Sequence, residues 1–121
     1  MIVYASRTGN VRYIVNQLNL PSIEIVDGLI INEPYLIFTY TDKLGEVPEK
    51  VENFLQHNSQ YCKGVIASGN KNFGNKMFCE SADKISRQYN VPIVHKVDLR
   101  GFKNDYDLII DRYKKLIKGD E

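Results

Sequence analysis

The stretch Ile2-Val3-Tyr4-Ala5-Ser6-Arg7-Thr8-Gly9-Asn10-Val11 (IVYASRTGNV) runs from a short apolar segment, through a polar loop holding one glycine, into a helix-like pattern. β-branched and aromatic residues in a run of this length read as a strand. Val11, Ile14, Val15 and Leu18 then recur at helical spacing. A strand that leads through a short loop into a helix is the first half of a parallel crossover unit.

Outward from this unit the same alternation continues. Further strands are expected at Ile23–Val26, Tyr35–Tyr40, Gly64–Ala67 and Ile93–Val97, each near-continuously apolar, as strands covered on both faces should be. Helical stripes lie at Val51, Phe54 and Leu55, at Phe78, Ala82, Ile85 and Tyr89, and at Tyr106, Ile109, Ile110, Tyr113 and Ile117. Pro48 suits a first helical turn, where its missing N–H has no partner to lose. Pro21 and Pro92 mark places where helices have ended. The segment 26–33 (VDGLIINE) is the one irregular connection between strands.

The order strand-helix-strand-strand-helix-strand-helix-strand-helix predicts a doubly wound, five-stranded parallel α/β sheet with helices on both faces and strand order 2-1-3-4-5. The 121 residues, 43% of them hydrophobic, suit a single domain spanning 1–121. Ligands of such sheets bind outside the carboxyl ends of the strands. The loops after Ala5, Tyr40, Ala67 and Val97 are therefore where function is expected.

Composition narrows the partners. Sixteen Lys and Arg against fifteen Asp and Glu give a formal net charge of +1, which provides no strong field for nucleic acid or an anionic membrane. The first apolar run is too short for a signal peptide or a membrane span, so a cytoplasmic protein is expected. Cys62 and Cys79 form no C-x-x-C pair and read as buried small hydrophobes. His57, in a helix tail, and His95, in the last strand, read as structural.

In the first loop, Ser6, Thr8 and Asn10 offer short polar side chains, Gly9 allows backbone N–H groups to converge, and the helix adds its positive end. Two readings stay open at this point: a phosphate cradle, or a capped turn that needs no ligand. A cysteine-based phosphatase is excluded, because no cysteine precedes Cys62. A receiver domain is excluded as well, for want of an acidic pair after the first strand. The loop Ser68-Gly69-Asn70-Lys71-Asn72-Phe73-Gly74-Asn75-Lys76 nearly spells a nucleotide-binding P-loop, but Asn75 separates Gly74 from Lys76 and Met77 replaces the Mg²⁺-binding hydroxyl. What it offers instead is close-lying backbone, amides and an aromatic ring. Tyr40, Thr41 and Gly45 add an aromatic, a hydroxyl and a glycine at the same sheet edge. A phosphate anchor, a polar midsection and a planar slot together have the shape of a flavin mononucleotide (FMN) pocket.

The loop Ser6-Arg7-Thr8-Gly9-Asn10-Val11 resembles the T/S-x-T-G-N-T/V phosphate loop of the flavodoxin superfamily, and Phe78-Cys79-Glu80-Ser81-Ala82-Asp83 resembles the helix that follows a flavodoxin's second flavin loop. Tyr40-Thr41 and Gly69-Asn70-x-Asn72-Phe73-Gly74 point more narrowly to the NrdI family, the small flavodoxins that serve class Ib ribonucleotide reductase.

The resemblance implies a flavodoxin-like fold and non-covalent FMN. It also implies a partner, the dimanganese small subunit of the reductase, whose tyrosyl radical forms with a superoxide-level oxidant made from O₂ by the reduced flavin. A separate flavin-reducing electron donor is implied too. The protein would then be an accessory activator rather than a conventional turnover enzyme. By position, Ser6, Thr8, Gly9, Asn10 and Val11 would hold the phosphate. Tyr40, Thr41 and Gly45 would border the ring from one side; Gly69, Asn70, Asn72, Phe73 and Gly74 would border it from the other. Gly45 would sit where a peptide needs positive φ, and Arg7, at a variable motif position, is left out of the site. Lys43, Lys71 and Lys76 would make the rim less negative than in acidic electron-shuttling flavodoxins. A general one-electron flavodoxin and a cofactor-free interaction module are the competing readings.

Overall fold

The computed structural model describes residues 1–42, 45–73 and 78–119. In chain order the elements are β1 (Ile2–Tyr4), α1 (Asn10–Leu18), β2 (Ser22–Glu24), β3 (Tyr35–Tyr40), α2 (Glu49–Asn58), β4 (Cys62–Gly69), α3 (Glu80–Tyr89), β5 (Ile93–Asp98) and α4 (Lys103–Ile117). The strands form one sheet in the order β2-β1-β3-β4-β5, with every pairing parallel. This is the doubly wound topology expected from the sequence.

The central strand β3 explains the two-sided layering. Alternate residues of a strand point to opposite faces. Tyr35 and Ile37 accordingly pack with Val51, Phe54, Leu55, Ala82 and Ile85 of α2 and α3. Leu36 and Phe38 pack with Ile14, Leu18, Ile109 and Tyr113 of α1 and α4. Burying each such apolar side chain stabilises the fold by about 1.5–3 kcal/mol, so a strand apolar at every position is held from both sides.

The edge strands depart from that pattern. Ile23 of β2 and Ile93 of β5 are 36% and 37% exposed, because each edge lacks a neighbour on one side. β2 begins one residue before the expected span and ends two before it, while β4 extends beyond it at both ends. Phe78 lies outside α3. Cys79 precedes that helix with φ +53°, a turn into the helix rather than a part of it. Pro48 takes the position just before α2 instead of lying within its first turn.

The irregular connection between β2 and β3 is fixed by one buried side chain. Asn58, at the end of α2, donates through Nδ2 to the carbonyls of Leu29 and Phe54 and accepts through Oδ1 from the Ile31 N–H. An amide offers both a donor and an acceptor, and here it stands in for the strand partner that this segment lacks. Among the described residues, no helix is long and apolar enough to cross a membrane.

Candidate functional site: a cleft at the carboxyl edge of the sheet

The parallel strands all deliver their loops to one edge, and β1 and β3 are neighbours whose following loops diverge to opposite faces. The gap between them opens a cleft of about 530 Å³. It is lined by the loop after β1, by Tyr40, Thr41 and Gly45 after β3, by Ser68, Gly69 and Asn70 at the end of β4, and by Cys79 and Leu99.

At one end lies the N-terminus of α1. Gly9 takes φ +93° immediately before the helix, a conformation that costs a residue with a Cβ even though the space around it is open. The first-turn N–H groups of a helix have no intrahelical acceptor. Ser6 Oγ accepts from the Arg12 N–H at 3.2 Å, so Ser6 does cap the helix from four positions before its start. Capping accounts for that one donor only. α1 carries no acidic residue in its first turn, so its positive end is left without a compensating charge from the helix itself. Arg100, from the loop after β5, donates Nε–H to Asn10 Oδ1 at 3.1 Å and stacks over Tyr13, adding a cation beside the same helix start.

The opposite wall is built around Gly69. A Cβ there would meet the Cys79 sulfur at 2.9 Å, so only glycine allows the β4 terminus to lie against the turn into α3. The Gly69 carbonyl accepts from the Leu99 N–H at 2.7 Å, and Ser68 Oγ donates to the Leu99 carbonyl at 2.6 Å. These two bonds hold Leu99 at φ +55°, a left-handed conformation that costs a leucine about 1–3 kcal/mol, and keep it at the cleft. Asn70 turns inward on its own loop, its Oδ1 accepting from the Asn72 N–H at 2.9 Å.

The third wall is the turn after β3. Asp42 and Glu46 exchange backbone hydrogen bonds of 2.8 and 2.7 Å, closing a tight turn in which Gly45 adopts φ +86°. Thr41 is tied to β4 by its N–H, donated to the Ser68 carbonyl, and to α3 by a 2.9 Å contact between its Oγ1 and Ser81 Oγ. Burial pushes the Tyr40 phenol up from its ordinary pKa; Asp42 adds to the shift and Arg7 opposes it.

The cleft thus gathers Ser6, Thr8, Asn10, Val11, Tyr40, Thr41, Gly45, Gly69 and Asn70 from the residues singled out in the sequence. Gly9 shapes the helix start without lining the cavity, and Asn72 is exposed outside it. Gly74, Lys43 and Lys76 lie outside the described residues. Lys71 is committed to the loop itself, its Nζ 5.4 Å from the centre of the Phe78 ring. Four lining residues were not foreseen: Arg7, Ser68, Cys79 and Leu99. Arg7, which the sequence reading leaves out of the site, lines the cleft. Its signal was its place in the loop; Cys79 and Leu99 gave none, because both reach the cleft through backbone turns with positive φ.

Among the described residues the cleft holds no activated nucleophile and no histidine. The Cys79 thiol is pushed up to about 12 by burial, against the opposing pull of Lys96. His95 Nε2 lies 2.7 Å from Asp105 Oδ1 at the start of α4, and His57 contacts its own helix through the Asn53 carbonyl. No group of His, Cys, Asp and Glu residues among those described could hold a metal ion.

Comparisons with known proteins agree with this architecture. A family model described as NrdI flavodoxin-like matches residues 2–111. The chain is 38% identical to Protein NrdI of Bacillus licheniformis, over 96% of this chain and 88% of that one. Among solved structures, it superposes on a Streptococcus pneumoniae TIGR4 flavodoxin with TM-score 0.71 at 22% identity, covering 98% and 97% of the two chains. It also superposes on a short-chain flavodoxin associated with a bacterial microcompartment, with TM-score 0.67 at 21% identity, covering 98% and 95%. The flavodoxin structures establish the fold, the family model spans nearly the whole chain, and on that evidence the chain belongs to the NrdI flavodoxin-like family.

Proposed function

We propose that this chain uses FMN in the cleft to supply a superoxide-level oxidant for assembly of the dimanganese-tyrosyl radical cofactor in the class Ib ribonucleotide reductase small subunit. FMN is the cofactor that family membership implies, and the residues present suit it. The cleft volume falls in the range of about 300–1,000 Å³ usual for small-molecule sites. The α1 terminus combines unpaired donors, a left-handed glycine and no acidic residue, which suits a phosphate. The far end, with Tyr40, Leu99 and close-lying backbone at Gly45 and Gly69, suits a flat apolar ring.

Bound there, FMN would supply the redox chemistry with O₂. The protein's part is binding and access: Ser6, Thr8, Gly9, Asn10 and Val11 would seat the phosphate, while Tyr40, Thr41, Gly45, Gly69 and Asn70 would border the ring. The observation that carries this division of labour is the absence, among the described residues, of any acid, base or nucleophile in the cleft able to do chemistry unaided. The near-zero net charge favours the activator over an electron shuttle, whose strongly acidic surface would steer it to basic partners.

The test is to record the visible spectrum of the protein with FMN, reduce it through an electron donor, and expose it to O₂ with the manganese-loaded small subunit. Tyrosyl radical formation dependent on the reduced protein supports the proposal. Normal reduction without radical formation would leave the one-electron shuttle, and a protein that stays colourless with FMN would leave the interaction module.

A further inference from the structure

Arg7 and Asp42 come from different walls of the cleft. Arg7 belongs to the loop between β1 and α1, and Asp42 stands at the base of the turn that carries Gly45. The Arg7 guanidinium reaches across, its Nη1 2.5 Å from Asp42 Oδ1, and its Cζ lies 5.2 Å from the centre of the Tyr40 ring. Tyr40 and Arg7 both line the cavity. The pair is half-open to water, with Arg7 56% and Asp42 23% exposed, and exposed ion pairs add little to overall stability. It does bridge two loops between whose described residues no backbone hydrogen bond runs, at the residue where an aromatic faces the ligand site.

We propose that Arg7 and Asp42 are a positioning pair that clips the two loops together at Tyr40 and tunes, with opposite signs, how tightly the reduced cofactor is held. The tuning rests on the FMN reading above; the clip does not. Reduction adds negative charge to a flavin, so a cation at the rim favours the reduced form and an anion disfavours it. The two charges act on the cofactor with opposite signs, so removing either one shifts the balance toward the sign of the other. Opposite signs from two neighbouring residues are something that a merely structural contact would not produce.

The experiment has two arms. In cofactor-free protein, the Tyr40 phenol is titrated by absorbance over the foot of its transition, below the pH at which the fold is lost. Tyr40→Phe is the blank that identifies it among the eight tyrosines. Arg7→Gln should move its ionisation to higher pH and Asp42→Asn to lower pH, while Arg7→Lys should restore most of the wild-type value. Shifts of the same sign, or none in variants whose circular dichroism is native, would overturn the clip.

In FMN-loaded protein, Arg7→Gln should weaken binding of the reduced relative to the oxidised cofactor by about threefold. For a one-electron step that is about 28 mV, at 59 mV per tenfold. Asp42→Asn should give the opposite sign, and the double variant should return near wild type. Potentials unmoved in both single variants would overturn the tuning. Wild-type protein that binds no FMN would overturn the tuning together with the FMN reading, and the phenol shifts would still decide the clip.

Discussion

Gly69 and Cys79 are packed so closely that a single methyl group on Gly69 would lie 2.9 Å from the Cys79 sulfur and 3.2 Å from its backbone nitrogen. One residue ends β4 and the other turns the chain into α3, so the contact sets the depth of the cleft between them. Gly69→Ala should cost about 1–3 kcal/mol in urea unfolding, as overpacking does, and should weaken FMN binding by pushing the α3 turn outward. Removing the sulfur in Gly69→Ala/Cys79→Ala should recover part of that loss. An additive double variant would mean that the two side chains do not meet.

The same cysteine makes the fold sensitive to alkali. Burial raises the Cys79 thiol from an ordinary value of 9.0 to about 12. A group that holds its proton more tightly when folded contributes stability that is fully present below pH 9 and lost as the pH climbs toward 12. The loss should be on the order of 4 kcal/mol from this group, with the Tyr89 phenol, also raised to about 12, adding to it. Cys79→Ala should flatten the stability profile between pH 9 and 12. An unchanged slope in chemical unfolding across that range would place the alkaline sensitivity elsewhere.

Asn58 offers a third test. Its amide makes three hydrogen bonds in a nearly dry site, two as donor and one as acceptor. Asn58→Ala leaves the Ile31 N–H and the Leu29 carbonyl without that partner and should cost about 2–4 kcal/mol, in keeping with about 1–3 for each buried group left unsatisfied. Asn58→Asp should be worse at neutral pH. A carboxylate can still accept from Ile31, but it faces two carbonyls with no proton to give. If the aspartate variant were the more stable of the two in urea melts, the assigned orientation of the amide would be wrong.

These cases also show why the sequence disclosed the scaffold more fully than the site. Runs such as Tyr35–Tyr40, apolar at nearly every position, carry their burial in composition, and strand-helix alternation leaves one common topology at this length. The loop at Ser6–Val11 was legible because its chemistry is local: a glycine and three short polar residues at a helix start. Cys79 and Leu99 were not, since their roles depend on positive-φ turns that bring them to the cleft from distant strands. The Arg7–Asp42 contact is not legible because the two are 35 residues apart, and only the β1–β3 pairing makes them neighbours. The edge exposure of Ile23 and Ile93 was equally hidden, because strand composition does not say which strand lacks a neighbour.

Thr8 separates anchoring from folding. It is exposed, and no hydrogen bond or ion pair with another described residue involves its side chain, so Thr8→Ala should leave urea stability within about 0.5 kcal/mol of wild type. If the α1 start seats the FMN phosphate, the hydroxyl supplies a bond to a charged group worth about 1.5–3 kcal/mol. FMN affinity should then fall by roughly 10- to 100-fold. Riboflavin, which has the same ring and no phosphate, should bind the variant and the wild type alike. Asn10→Ala should show the same selectivity with a further change, because Arg100 loses the acceptor that holds it beside the helix. Equal losses for FMN and riboflavin would move Thr8 from the phosphate to the ring, and no loss for either would remove it from the site.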